Sequence, residues 1–166
     1  MNKTMLALAT ALLFSACAGN TNPDFPYYGE EVSNFGAARL HGTVFDNAFD
    51  DDADLWINSY DGWMDLSANT EYQSGGTTGM FFLMGELEPR EIFTPGVHAV
   101  NPLTTELLLC GETDGEYYDE PADDIEIEVT EPGDGLILAR IRGERGDRFQ
   151  EVEFMLDAET LAPVAQ

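Results

Sequence analysis

Between residues 37 and 157 the chain alternates short apolar-rich extended runs with clusters of turn residues, and no window carries a 3.6-residue apolar stripe. Period-two alternation buries one face of a strand and wets the other. The pattern therefore predicts strands over residues 38–45, 55–60, 63–67, 78–87, 97–100, 106–110, 125–130, 136–142 and 149–156. Gly, Pro, Asn and Asp gather between them, at Ser74-Gly75-Gly76, Thr94-Pro95-Gly96 and Pro132-Gly133-Asp134-Gly135. About nine strands and no helix predict an all-β fold, either an antiparallel β-sandwich or a closed β-barrel. Alternation alone does not separate the two.

One hairpin is specified down to its register. Ile137, Ala139 and Ile141 share one face of their run, and Val152, Phe154 and Leu156 share one face of the next. Pairing apolar with apolar sets Ile141 opposite Val152 and Ala139 opposite Phe154, with Arg142 against Glu151 and Arg140 against Glu153. Gly146-Asp147 is then a two-residue turn, with Gly where a type II′ turn needs positive φ.

The first sixteen residues have a different pattern. Lys3 supplies a positive charge, residues 5–14 are apolar, and Phe14-Ser15-Ala16-Cys17 follows. The apolar stretch has the length of a signal-peptide core and is too short to span a bilayer as a helix. The Phe14-Ser15-Ala16-Cys17 segment resembles the lipobox of bacterial lipoproteins. That resemblance implies diacylglycerol attached to the Cys17 sulfur, cleavage before Cys17, and acylation of the new amino terminus, typically with palmitate. Ala18 after the cysteine implies sorting to the outer membrane, with the domain facing the periplasm or the exterior. Ala16-Cys17-Ala18 also satisfies the A-x-A pattern of ordinary signal cleavage, which would release a soluble protein. The expected organisation is a signal peptide over 1–16, a lipidated cysteine and flexible tether over 17–36, one β-domain over 37–160, and a tail over 161–166. Residues 17–36 are rich in Pro, Gly and Asn and have neither period.

Composition sharpens this picture. Of the 166 residues, 32 are acidic and seven basic, and the only lysine is Lys3. The chain from Cys17 onward therefore holds six arginines against all 32 acids, a formal charge of −26. Nucleic acid and anionic membrane surfaces require a basic footprint, so neither is an expected partner. The partner the sequence does imply is a membrane, reached through lipid on Cys17. The second cysteine, Cys110, ends an apolar run and suits a buried position.

The densest acidic stretch is Asp46 to Asp54. Asp50, Asp52 and Asp54 have the spacing that opens an EF-hand calcium loop, with Asn58 and Asp61 at later ligand positions. Leu55 stands where that loop needs Gly, and no helices flank it, so a solvated acidic loop is the simpler expectation and calcium the alternative. No other cofactor is indicated. His41 and His98 lie in separate runs and are expected to be structural. Arg145-Gly146-Asp147 spells an adhesion tripeptide, but Gly-Asp is also what the turn demands. Trp56, Tyr60, Trp63 and Tyr72 are aromatics able to stack on a sugar or to fill a core. There is no G-x-S-x-G, C-x-x-C, H-E-x-x-H or phosphate-binding glycine loop. Three functional readings follow. The first is a membrane-anchored, non-enzymatic β-domain of the cell envelope with an interaction or structural role. The second is a binding module for a small ligand or carbohydrate, with calcium as a potential requirement. The third is a hydrolase whose residues converge only in the fold. A deep pocket would favour the second or third, and a filled interior the first.

Overall fold

The computed structural model describes residues 32–164 apart from 61, 72, 73 and 102. It is an all-β domain: one antiparallel sheet of eleven strands curled into a half-barrel. The strands are β1 (Val32–Val44), β2 (Asn47–Tyr60), β3 (Trp63–Thr70), β4 (Thr77–Gly85), β5 (Gly96–Ala99), β6 (Thr105–Thr113), β7 (Glu116–Pro121), β8 (Asp124–Gly133), β9 (Leu136–Arg145), β10 (Arg148–Asp157) and β11 (Pro163–Val164). A single turn of helix, α1 (Pro89–Ile92), separates β4 from β5. The order across the sheet is β5-β8-β9-β10-β1-β2-β3-β4-β6-β7, with β11 added to the end of β10.

Curling puts every second side chain inside. The buried positions of β9 are Ile137, Ala139, Ile141 and Gly143, and those of β10 are Gln150, Val152, Phe154 and Leu156. Facing them are Phe81 and Leu83 of β4 and Leu107 and Leu109 of β6. The two walls come close at two glycines. A Cβ on Gly143 would lie 2.4 Å from Leu107 Cδ2, and one on Gly111 would lie 2.3 Å from Val44 Cγ2. Gln150 spans the interior, its Nε2 donating to the Cys110 carbonyl at 2.7 Å.

The β9–β10 hairpin has the expected register, pairing Ile141 with Val152, Arg142 with Glu151 and Arg140 with Glu153. Gly146 has a φ of 63° and Asp147 does not share the positive sign, as a type II′ turn requires. Elsewhere the expected bounds need correction. The acidic stretch is not a loop: it is the first half of β2, paired along its length with β1. Asp50, Asp52 and Asp54 take outward positions while Phe49, Ala53 and Leu55 take inward ones; Asp51 falls on the inward side, half-buried, its Oδ2 without a hydrogen-bond partner among the described residues. Residues 32–36, expected in the tether, are already part of β1, and residues 163–164, expected in the tail, pair with Met155 and Leu156. The Asp157 carboxylate turns the chain there by accepting from the Glu159 and Thr160 amides and the Thr160 hydroxyl, which also holds it below the usual carboxylate range. Strand β7 was not expected; its Tyr118 points inward between the outward Tyr117 and Asp119. The expected signal peptide, Cys17 and the tether as far as residue 31 lie outside the described residues.

The outer face is sorted by side chain. Two cross-strand rows run from β8 to β2, namely Glu128, Arg140, Glu153, Arg39, Asp52 and Glu126, Arg142, Glu151, His41, Asp50. Charge alternates along the first, and in the second His41 stands between Glu151 and Asp50. A third row, running from β1 to β7, is Phe35, Trp56, Ser67, Phe82, Leu108, Pro121. Met80 and Met84 flank Phe82 on the same face of β4.

Candidate functional site

The two edges of the curled sheet do not pair with one another. They come together through short connections and ion pairs. The β7–β8 turn is tied down by the Ala122 amide donating to the Leu107 carbonyl and the Asp123 amide donating to the Glu144 carbonyl. From the β9–β10 turn, Arg145 reaches Glu120 at 2.9 Å and Asp123 at 3.1 Å and donates to the Pro121 carbonyl. Arg148 adds Glu120 at 3.7 Å and lies 5.3 Å over the Tyr118 ring. Arg145 of the Arg-Gly-Asp tripeptide is thus engaged in closing the domain.

Below this clasp the wall stays open. A cleft of about 630 Å³ lies between the β5–β6 connection, the start of β6 and the β7–β8 turn. Its apolar lining is Trp63, Met84, Val100, Leu103, Leu107, Pro121, Ala122 and Ile125, and its polar lining is Glu86, Thr104, Thr105, Glu106, Asp123 and Asp124. Outward Glu106 and inward Thr105 and Leu107 both contribute, so the cleft cuts from the outer face toward the core. Trp63 is held by its indole N–H donating to Asp65 Oδ1 at 2.8 Å. Leu103 is 91% exposed at the mouth. Thr105 is only 6% exposed, and its hydroxyl is buried with no hydrogen-bond partner among the described residues. Asp123 is neutralised by Arg145, whereas Glu86, Glu106 and Asp124 have no ion-pair partner among the described residues. A volume in the range of small-molecule pockets, apolar walls and a few polar groups are the ingredients of a ligand site.

The positions singled out from sequence lie elsewhere. Asp50, Asp52 and Asp54 are outward at alternate positions of β2, so the outer two stand about 13 Å apart along the strand, against metal–oxygen distances of about 2.3–2.6 Å at calcium. Arg39 grips Asp50 with two bonds, Nε to Oδ1 at 2.7 Å and Nη2 to Oδ2 at 2.6 Å, and that hydrogen bonding holds the carboxyl below the usual carboxylate range. Asp54 sits beside Glu71, whose carboxyl is pushed up by the shared hydrogen bond and by the neighbouring charge. Asn58 accepts from Ser33 and from the Trp56 indole, and Asp61 lies outside the described residues. Among the described residues no group of three or more His, Cys, Asp or Glu is arranged to hold a metal ion. His41 lies 3.5 Å from Glu151, and His98 Nε2 meets the Thr94 carbonyl at 2.6 Å, so the two histidines serve separate neighbourhoods. Trp56 stacks on Phe35 with centroids 5.2 Å apart, Trp63 and Tyr60 both reach Asp65, and Tyr72 lies outside the described residues. Cys110 is buried, on the outward side of β6 opposite Met80 and Asp119.

Only Trp63 of the cleft carried a signal in sequence. Thr105 fell one residue outside the strand expected over 106–110, and residues 121–124 were passed over because β7 was. The Tyr117–Tyr118–Asp119 alternation was the clue that would have placed a strand there. No family model matches the chain, and neither a curated protein nor a solved structure matches it.

Proposed function

We propose that the chain is a membrane-anchored lipoprotein of the cell envelope whose non-enzymatic β-domain works by binding a small molecule in the cleft between its sheet edges. The observation that carries the binding role is the cleft itself, an opening of about 630 Å³ with apolar sides beside the place where the sheet edges approach. The anchoring half of the reading rests on Phe14-Ser15-Ala16-Cys17. Lipid there adds about 0.8 kcal/mol per buried methylene, so two or three chains hold a protein on a membrane durably.

Each half has its own test. Intact-mass measurement of protein extracted from its native membrane should give a chain beginning at Cys17 with added acyl mass, and recovery of a soluble form beginning at Gly19 would refute the anchor. For the cleft, Nile red, a neutral apolar dye, should bind saturably to the full chain and lose that binding in Ala122→Trp, which fills the cleft from the β7–β8 turn. Unchanged dye binding in a folded Ala122→Trp protein would remove the cleft from consideration.

A further inference from the structure

We propose that the apolar half of the outer face is a docking surface for the chain's own segment Phe25-Pro26-Tyr27-Tyr28, which lies just ahead of β1. The cleft plays no part in this inference. In the row Phe35, Trp56, Ser67, Phe82, Leu108, Phe35 is 69% exposed and Trp56 37%, while Phe82 and Leu108 are half-buried. Met80 and Met84 widen the patch on either side of Phe82. Trp56 and Phe82 are two strand spacings apart, about 10 Å, with only the short Ser67 side chain between them. A contiguous apolar face on an otherwise charged surface marks a place where something binds.

Reach and charge decide the occupant. The described chain starts at Val32, so Phe35 lies about 10 Å along β1 from that start. Only Gly29, Glu30 and Glu31 separate Tyr28 from Val32, a link that spans about 14 Å at full extension. Tyr28 can therefore reach Phe35 and Trp56. Phe25, three residues further, can reach Phe82, since Phe35 to Phe82 is three strand spacings, about 14 Å. Pro26 favours the extended backbone that such a crossing needs. So short a link holds the segment at about millimolar effective concentration, and contacts too weak to keep a free peptide suffice. Residues 25–29 are uncharged, whereas the patch is bordered by Asp54, Asp65 and Glu106, and β2, β3, β4 and β6 contain no arginine. A second copy would bring its own charge of −26 against that border, and an anionic lipid surface is repelled in the same way. Three aromatic rings cover the patch and leave the tyrosine hydroxyls to water. Under the anchored reading, docking shortens the free link after Cys17 from residues 18–31 to residues 18–24 and holds the domain closer to the membrane.

The test reads both sides of the contact on the full chain. Trp63→Phe leaves Trp56 as the one tryptophan. On that background, Phe25→Ser, Tyr27→Ser and Tyr28→Ser together should move Trp56 emission to the red and about double its quenching by acrylamide, as covering rings leave the indole. Chymotrypsin should cut after Tyr27 and Tyr28 only when the segment lifts off the face. Ser67→Lys places a charge in the middle of the patch and should speed that cleavage about tenfold. Thr130→Lys adds the same charge to the outer face of β8 and should leave the cleavage unchanged. None of the substituted strand residues points inward, so all variants should keep the circular dichroism of the parent. Trp56 equally quenched with either segment, or Ser67→Lys cut no faster than Thr130→Lys, would overturn the proposal. So would shielding of Trp56 that grows with protein concentration, which assigns the face to a second copy, or shielding that arises only with phosphatidylcholine vesicles, which assigns it to a lipid surface.

Discussion

Across β8, β9, β10, β1 and β2 the outer face carries two rows in which acids alternate with arginine or histidine, whereas across β3, β4 and β6 it carries Phe82, Met80, Met84 and Leu108, with Phe35 and Trp56 stacked at the margin. Both halves belong to one sheet and present the same alternating apolar pattern to the same core. The inner face is thus held to a single solution by close contact, while the outer face is free to differ. In the charged half, each arginine sits between two acids: Arg140 lies 2.6 Å from Glu153 and 3.7 Å from Glu128, and Arg142 lies 2.6 Å from Glu144 and 3.8 Å from Glu151. Arg142 also covers the Phe149 ring at 4.0 Å. Three of the six arginines are spent on these rows, Arg39, Arg140 and Arg142, and two more on the clasp between the sheet edges. The cleft and the apolar half are left without positive charge, which is why the cleft remains anionic.

The core is where the two halves should not differ, and there the largest effects are expected. Phe81 lies under the apolar half and Phe154 under the charged half, both wholly buried. Each change to Ala should lower unfolding free energy by about 3–5 kcal/mol, read from denaturant titrations. A much smaller loss at one of them would show that its half is not core in solution.

The outer faces should then part company. Phe82→Ala, at a half-buried position, should lose about 1–2 kcal/mol of burial, and Arg142→Ala no more than about 1 kcal/mol, since partly exposed ion pairs contribute little. If Arg142→Ala proves the costlier, the charge rows act as a cooperative network and are more than local neutralisation.

Salt gives the smallest and most diagnostic effect. With a formal charge of −26 from Cys17 onward, the compact state repels itself, and raising sodium chloride from 0.1 to 1 M shortens the Debye length from about 10 Å to about 3 Å. The melting temperature should climb steadily over that range. It should climb further in the double variant Arg140→Ala, Arg142→Ala, which adds repulsion and removes the pairs that salt weakens. Calcium at matched ionic strength should act as sodium does. A saturable calcium effect that Asp52→Asn diminishes would instead place a metal on the strand bearing Asp50, Asp52 and Asp54, and a melting temperature indifferent to sodium chloride would defeat the self-repulsion account.

Local chemistry was legible wherever a residue's neighbours in sequence are its neighbours in space. The β9–β10 register followed from Ile141, Val152, Ala139 and Phe154 because a tight turn leaves only one pairing that buries all four. The acidic half of β2 was not legible as a strand. Nothing within Asp46 to Asp54 announces that Arg39 and His41 will lie across from it, and that pairing lets the charges face water from a ladder. The cleft was less legible still, since Thr105, Glu106, Asp124 and Ile125 meet only where the two edges of an eleven-stranded sheet approach each other.

The sequence by itself determined the all-β class, the alternating core, the hairpin and the unusual charge, because each is written in composition or in spacings of a few residues. Tertiary structure alone decided that the sheet curls into one half-barrel, that its edges are clasped by Arg145 and Arg148 without pairing, and that an anionic cleft opens beside that clasp. Strand order and curvature depend on contacts between segments far apart in the chain, and period-two alternation says which face of a strand is buried without saying against what.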